Sequence, residues 1–239
     1  MMNKRKIIIT IMVVILIVLV GIYFLVSKGN DNGDALRFKE EYESLNGTVR
    51  ESDGQSYNEV IINEDNPIKY VSVKEAVDII SNDTGIIYLG ANWCPWCRNA
   101  VPVLLESAKK NNLDTIYYVN MDVARDTWEV KDGKAVKTYD GEEGYDELLK
   151  VMDSVLENYY ITDENGEQYN TYEKRVYLPT VISFDNGEIL DIHVATVSLN
   201  EGQTKYDKLT DSQHDELLDI YDNMIKSINS KSCENDENC

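Results

Sequence analysis

Cys94 and Cys97 carry the chemistry that this sequence offers most clearly. They are two of the four cysteines in a chain of 239 residues, and only Pro95 and Trp96 separate them. A pair at this spacing can close a small disulfide and open it again. A structural cross-link is the weaker interpretation, because the stabilisation from a disulfide grows with the length of the loop it closes. The spacing therefore indicates dithiol–disulfide exchange.

The segments on either side of the pair would position the two sulfur atoms. An apolar run, Gly85–Asn92, is typical of a buried strand, and Arg98–Ala108 is typical of a helix. Cys94 would then lie at a helix N-terminus, where free backbone N–H groups and the helix dipole favour the thiolate. Pro95 lacks an N–H group, which costs nothing in the first helical turn. We expect Cys94 to be the nucleophile and Cys97 to resolve the mixed disulfide.

Alternating helices and strands surround this segment, which predicts an α/β domain with parallel strands in a central sheet. The predicted strands are Glu59–Asn63, Ile68–Val71, Ile86–Leu89, Thr115–Asn120, Thr180–Phe184 and Ile189–Val197. The predicted helices are Ala35–Leu45, a helix that Ser72 and Glu75 begin with a capping box and that ends at Ile80, and Asp211–Ile228. Between Val123 and Lys174 we expect a hairpin over Trp128–Thr138, a helix over Tyr145–Tyr160 and a turn at Asp163–Gly166.

The N-terminus predicts a transmembrane anchor. Ile7–Val26 is an apolar run long enough to span a bilayer, and residues 1–6 before it contain Lys4, Arg5 and Lys6. The positive-inside rule then leaves the N-terminus in the cytoplasm and exports the rest of the chain. A cleavable signal peptide is the competing interpretation, but Leu25–Lys28 is a poor cleavage site. We expect a single-pass membrane protein with residues 27–66 as linker and N-terminal extension.

The net charge of −20 restricts the partners of the exported part. Such a charge disfavours binding to nucleic acid and direct adhesion to anionic lipid. We therefore expect protein partners and contact with the membrane only through the anchor.

Three features in this order resemble the thioredoxin superfamily. They are the strand–Trp93-Cys94-Pro95-Trp96-Cys97–helix segment, the strand end Val119–Asp122, and Leu178-Pro179-Thr180 followed by a predicted hairpin. The resemblance implies a thioredoxin-like fold over residues 67–230, a central mixed sheet flanked by helices, with residues 123–174 as an insertion and residues 231–239 as a tail. It also implies a thiol–disulfide oxidoreductase that needs neither a cofactor nor a metal.

The resemblance assigns roles around the two cysteines. Pro179 is expected to follow Leu178 through a cis peptide bond and to lie against the dithiol, where this loop presents backbone groups to an extended substrate. Trp93 and Trp96 either frame the sulfur with apolar surface for docking or belong to ordinary packing. Pro95-Trp96 differs from the Gly-Pro pair of reducing thioredoxins.

Tyr88 and Tyr118 depart from the pattern of reducing thioredoxins. Those proteins carry a buried acidic residue where this chain has Tyr88, and a lysine where it has Tyr118. Proton transfer to the second cysteine must therefore differ. Water, Tyr88 or a carboxylate from the insertion could take that part.

Within the superfamily, the anchor, the acidic exported part and the insertion resemble exported thioredoxin-like proteins of Gram-positive bacteria, including bacteriocin-transport accessory proteins. That resemblance implies exported protein thiols or disulfides as substrates and a membrane redox partner. The alternative is a redox-linked chaperone or accessory subunit for an exported peptide or membrane complex. Tyrosines in or beside the insertion would then supply the binding surface.

Cys233 and Cys239 lie in the polar tail and allow three interpretations. They form either a passive disulfide or a second redox pair that relays electrons to Cys94 and Cys97. A zinc site shared by all four cysteines is disfavoured, because zinc prefers two closely spaced pairs.

Overall fold

The computed structural model describes residues 33–51 and 53–234. The predicted anchor, Ile7–Val26, lies outside these residues, and none of the helices within them is long and apolar enough to cross a membrane. In chain order the elements are α1 (residues 33–43), β1 (Ile68–Tyr70), α2 (Val73–Asn82), β2 (Thr84–Gly90), α3 (Pro95–Lys110), β3 (Ile116–Asn120), α4 (Met121–Ala124), β4 (Thr127–Lys131), β5 (Lys134–Tyr139), α5 (Tyr145–Val151), β6 (Glu157–Thr162), β7 (Gln168–Arg175), β8 (Thr180–Asp185), β9 (Glu188–Val194) and α6 (Asp211–Glu234).

A mixed sheet with the strand order β1-β3-β2-β8-β9 forms the centre of the structure. β3 pairs in parallel with both β1 and β2, whereas β8 is antiparallel to β2 and to β9. After the exposed Thr84, every residue of β2 is buried, as expected for a central strand covered on both faces. The predicted α/β class with a central mixed sheet flanked by helices is confirmed.

The connections between parallel strands put helices on both faces of the sheet. The chain moves from β1 to β2 through α2 and returns from β2 to β3 through α3. Because both crossovers are right-handed and run in opposite directions, α2 and α3 cover opposite faces. α6 packs against α3. The predicted capping box of α2 is present, since Glu75 accepts from the Ser72 backbone and Ser72 from the Glu75 backbone.

The N-terminal helix α1 packs on the face of the sheet that α3 covers. Phe38 and Tyr42 of α1 are fully buried, and the Phe38 ring lies 4.9 Å from the ring of Tyr118 in β3. The last carbonyls of a helix have no partner within the helix. Here Asn92 donates to the Glu41 carbonyl at 2.9 Å and Arg98 to the Tyr42 carbonyl at 2.8 Å. Two residues that flank the cysteine pair therefore cap α1.

The predicted strand at Glu59–Asn63 is wrong. Val60 and Ile62 are buried, but this segment pairs with no strand in the described part of the chain. Its backbone bonds go to side chains instead: Asn46 exchanges hydrogen bonds with the backbone of Val60, and Glu43 accepts from the Ile62 N–H group at 2.8 Å. The alternation of apolar residues in this segment therefore reflects burial of one side, not pairing in the sheet.

Residues between β3 and β8 form two hairpins, the two short helices α4 and α5, and one turn of 3-10 helix. The predicted hairpin over Trp128–Thr138 is confirmed as β4 and β5. The predicted helix over Tyr145–Tyr160 is wrong after Val151, because a short 3-10 helix follows at Asp153–Val155 and β6 then pairs with β7. Arg175 of β7 lies over the Tyr159 ring at 4.1 Å. The pairing of β6 with β7 overrides the helical pattern of this segment, in keeping with the strand preference of tyrosine and isoleucine.

Candidate active site

Cys94 lies at the N-cap position of α3, with Pro95 in the first turn as predicted. Cys94 and Cys97 are both free thiols and both are buried. The Cys94 thiol donates a weak hydrogen bond to the Leu178 carbonyl, 3.5 Å away. The side chain that the sequence marks as the nucleophile therefore faces the loop that contains Pro179.

The two cysteines of the pair titrate in opposite directions. The Cys97 thiol, as hydrogen-bond donor to the Cys94 sulfur, lowers the pKa of Cys94, and the backbone N–H groups of Cys97 and Trp96 add to this effect. Burial raises the pKa of Cys97 well above its usual range, and the negative charge on Cys94 raises it further. A depressed first pKa beside a raised second one is the electrostatic condition for a thiolate nucleophile with a protonated partner.

Leu178 and Pro179 meet through a cis peptide bond, as the resemblance implied. The loop is held at both ends. The Ala195 N–H group donates to the Pro179 carbonyl at 2.8 Å, and the Thr180 hydroxyl donates to the Tyr177 carbonyl at 2.6 Å. Ala195 has a φ of +65°, a conformation that residues with a Cβ rarely adopt, and it ends β9 at this point.

Trp93 and Trp96, the two tryptophans beside the cysteines, are both half-buried but have different surroundings. Trp93 donates to a carboxylate oxygen of Asp122 at 2.6 Å, which fixes its indole beside the end of β3. Trp96 lines a groove of about 480 Å³ together with Leu178 and Val194. Leu156 and Tyr177 contribute further apolar surface to the same groove. Trp96, but not Trp93, is thus among the residues that line this groove.

The groove extends from Trp96, which lies between the two cysteines in sequence, to the insertion. Its lining includes Glu157 of β6 and Arg175 of β7, which are opposite each other in the hairpin. Arg175 donates to the Asp126 carbonyl at 2.9 Å. Arg125, which precedes Asp126 in the sequence, adds a positive charge that lowers the pKa of Cys94. Nothing in the spacing of the insertion marked either arginine as part of this site.

Tyr88 of β2, which the sequence singled out, lies close to Cys97. Tyr88 is fully buried, and its hydroxyl lies 2.7 Å from the Tyr42 hydroxyl of α1. The Tyr88 ring stacks on the Tyr118 ring at 5.3 Å, and the Tyr118 hydroxyl donates to the Gly90 carbonyl. The sequence singled out Tyr88 and Tyr118. It did not single out Tyr42, although a tyrosine on the apolar side of a helix signals a buried hydroxyl that needs a partner.

Arg98 is the second residue that sequence reasoning missed. It follows Cys97 directly, is 1% exposed and donates to the carbonyls of Tyr42, Asn58 and Asn92. It also donates to the Asn46 side-chain oxygen at 2.6 Å. A buried arginine that binds carbonyls holds the N-terminal extension against the helix of the cysteine pair.

Cys239 and the side chain of Cys233 lie outside the described residues, so their pairing stays a prediction. Among the residues that are described, no three histidine, cysteine or acidic side chains converge as a metal site requires.

The chain is similar to solved structures of oxidised thioredoxins. Thioredoxin O2 from Arabidopsis thaliana is 18% identical, with 55% of this chain and 85% of that protein covered and a TM-score of 0.32. The solution structure of thioredoxin from Plasmodium falciparum is also 18% identical, with 64% and 97% covered and a TM-score of 0.32. No protein-family model and no curated protein sequence matches the chain.

Proposed function

We propose that this chain is a thioredoxin-like thiol–disulfide oxidoreductase that exchanges disulfides with exported proteins through Cys94 and Cys97. One observation carries the proposal: Cys94, with a lowered pKa, occupies the N-cap position of α3 and contacts the Leu178 carbonyl, while the buried Cys97 thiol lies one turn behind it. This arrangement supports attack by one sulfur and resolution by the other.

The first step is a balanced exchange between sulfur atoms. The Cys94 thiolate attacks one sulfur of a substrate disulfide, a Cys94–sulfur bond forms, and the substrate S–S bond breaks. The departing substrate sulfur takes the electron pair and then a proton from water. Cys97 completes the exchange by attacking Cys94, which releases the second substrate sulfur and oxidises the pair. The reverse sequence transfers a disulfide to the substrate.

The groove lined by Trp96, Leu178 and Val194 supports docking of an extended polypeptide beside Cys94. Its walls are mostly apolar, and the loop at Leu178 and Pro179 offers backbone groups next to the reactive sulfur. A peptide that enters the groove with an apolar side chain would bury that side chain as its cysteine reaches Cys94. We therefore expect the groove to favour peptide disulfides over small disulfides such as glutathione disulfide.

The exchange itself is tested with the purified chain, a peptide that contains an internal disulfide, and glutathione disulfide. Cys94→Ser is expected to abolish exchange, and Cys97→Ser to accumulate a mixed disulfide on Cys94. The same replacement at Cys233 and Cys239 is the matched control. Equal loss of exchange in that double variant would instead identify the tail as a second redox pair. Retained exchange in Cys94→Ser would overturn the proposal.

The groove is tested with two valines of similar exposure. Val194 lines the groove and is 43% exposed, whereas Val136 of β5 is 38% exposed and lies outside it. Val194→Asp is expected to raise KM for the peptide about tenfold, the loss of roughly one buried apolar contact, without changing the rate with glutathione disulfide. Val136→Asp should change neither. Equal effects of the two variants would contradict docking in the groove.

We further propose that Ile7–Val26 anchors the chain in the cytoplasmic membrane of a Gram-positive bacterium, with the redox domain outside. The apolar run and the three basic residues before it support this topology. Cell fractionation should find the chain in the membrane, and protease added to intact cells lacking their wall should degrade the domain. A chain without residues 1–26 should be absent from the membrane fraction. Protection of the full-length domain from protease would contradict this orientation.

An accessory role for an exported peptide or membrane complex is the second candidate, and the insertion favours it. Tyr139, Tyr160 and Tyr172 in the insertion are exposed, and tyrosine is enriched at interfaces. The two candidates separate in cells that carry Cys94→Ala. Loss of the cellular phenotype supports exchange chemistry, whereas a retained phenotype supports the accessory role.

A further inference from the structure

Two tyrosine hydroxyls form a buried chain behind Cys97. The hydroxyl oxygens of Tyr42 and Tyr88 are 2.7 Å apart, and both side chains are fully buried. The Tyr88 hydroxyl also interacts with the Cys97 sulfur, and as a hydrogen-bond donor it lowers the pKa of Cys97. The order of the chain is therefore Tyr42, Tyr88, Cys97, which joins α1, β2 and α3.

Titratable side chains from five elements interact with Cys97. They are Cys94 of α3, Tyr88 of β2, Tyr42 of α1, Tyr118 of β3 and Tyr221 of α6. None of them is a carboxylate or an amine. Burial is the main cause that raises the pKa of Tyr88 and Tyr42 well above the usual range, so both hydroxyls stay protonated at neutral pH. Neither can act as an anionic base, but both can donate hydrogen bonds.

We propose that Tyr88 is a catalytic hydrogen-bond donor to the Cys97 thiolate during resolution, and that Tyr42 is the positioning residue that aims the Tyr88 hydroxyl. The inference rests on the proposed exchange function, because it concerns the second step of that reaction.

The step is balanced as follows. The Cys97 thiol loses its proton to water, and Tyr88 donates a hydrogen bond to the resulting thiolate. The thiolate attacks the Cys94 sulfur, a Cys94–Cys97 bond forms, and the bond between Cys94 and the substrate breaks. The substrate sulfur leaves with the electron pair and takes a proton from water. Tyr88 keeps its own proton throughout.

Tyr42 makes the donor directional. A hydroxyl rotates freely, so Tyr88 could turn its proton away from the sulfur. When Tyr42 donates to the Tyr88 oxygen, the proton of Tyr88 is left to point at Cys97, and each bond of such a chain strengthens the next. Arg98 and Asn92 hold the end of α1 from which Tyr42 projects. The N-terminal extension is thus part of the redox site.

The test separates the two exchange steps with a symmetrical aromatic disulfide that releases a coloured thiolate at each step. The full-length chain carries serine at Cys233 and Cys239, so only one dithiol reports. The first release depends on reagent concentration and reports attack by Cys94. The second is independent of that concentration and reports resolution by Cys97. Both rates are followed against pH.

Tyr88→Phe is expected to slow the second release at neutral pH by about 10- to 100-fold, the usual contribution of a hydrogen bond to a charged group. The pH midpoint of the second release should move upward accordingly. Tyr42→Phe should move it in the same direction by less. The matched control is Tyr221→Phe, because Tyr221 is also buried near Cys97 but its hydroxyl has no hydrogen-bond partner among the described residues.

The outcomes distinguish the two proposals. If the parent chain gives no second release, the exchange function itself fails. If the parent gives both releases but Tyr88→Phe and Tyr42→Phe keep its pH profile, the inference fails. An unchanged first release shows that a variant is folded. If Tyr88→Phe does not fold, the pH midpoint of the second release in Tyr42→Phe decides. If Tyr221→Phe moves this midpoint as far as the tyrosine variants do, the proposal is also overturned.

Discussion

Replacing Arg98 with methionine should loosen the N-terminal extension from the redox helix. Methionine keeps the length and apolar stem of the side chain but donates no hydrogen bonds. The carbonyls of Tyr42, Asn58 and Asn92 would each lose the arginine donor, whereas the Asn46 side-chain oxygen would still accept from the Val60 N–H group. One buried and two partly buried acceptors are therefore left to water.

The size of the effect follows from those three acceptors. A buried polar group left without its partner costs about 1–3 kcal/mol. Water can reach part of this region, and the variant no longer buries an arginine whose pKa burial already lowers. We therefore expect the free energy of unfolding to fall by about 2–4 kcal/mol, less than the full sum of three such groups. Such a loss is a large fraction of the stability of a typical domain.

Urea unfolding, followed by tryptophan fluorescence and far-UV circular dichroism, measures this loss. Arg37→Met is the matched control, because Arg37 is on α1 but is exposed, where it pairs with Glu41 and lies over the Tyr70 ring at 3.9 Å. An exposed ion pair of this kind contributes less than about 1 kcal/mol. Arg98→Lys should recover little, since an ammonium cannot reproduce the planar fork. If Arg98→Met loses no more stability than Arg37→Met, the role assigned to these hydrogen bonds is wrong.

Three further substitutions test separate parts of the structure. Burial pushes the pKa of Asp222 upward, but hydrogen bonds donated by Lys110 and neighbouring residues outweigh it and lower the pKa. The stabilisation that Asp222 contributes is therefore fully present above the unfolded pKa near 4, and it is lost as the pH falls through the lower folded pKa. The urea midpoint should fall over that pH range, and Asp222→Asn should make the midpoint depend less on pH. A Cβ at Gly90 would lie 2.2 Å from the Tyr88 ring, so Gly90→Ala should cost about 1–3 kcal/mol in urea unfolding and disturb resolution by Cys97. Gly133 has a φ of +68° in open space, so Gly133→Ala should cost about 1 kcal/mol by the same measurement, without affecting exchange.

Local signals in the sequence were enough for the elements next to the cysteine pair. The strand before Cys94, the helix that begins at Pro95 and the capping box of Ser72 depend on residues within a few positions of one another. The hairpin at Asp132-Gly133 depends on two residues with positive φ, which is the backbone that such a turn requires. These features could be predicted because their causes are contiguous in the chain.

The incorrect predictions concern segments whose conformation depends on partners outside the segment itself. Val60 and Ile62 alternate like a strand, but their backbone groups bind side chains from α1 and the turn after it. The segment that forms β6 continues the helical pattern of the residues before it, but it pairs with β7 as a strand. In each case a tertiary partner decides between two local conformations. No pattern within the segment itself identifies that partner.

The residues around Tyr88 account for one another. Gly90 leaves the space that the Tyr88 ring occupies, Tyr42 supplies the partner that its hydroxyl needs, and Arg98 holds the helix from which Tyr42 projects. Packing alone would be satisfied by phenylalanine at both tyrosine positions. The Tyr88 hydroxyl acts on the buried Cys97 thiol and the Tyr42 hydroxyl bonds to Tyr88, an arrangement that the chemistry of Cys97 explains better than packing does.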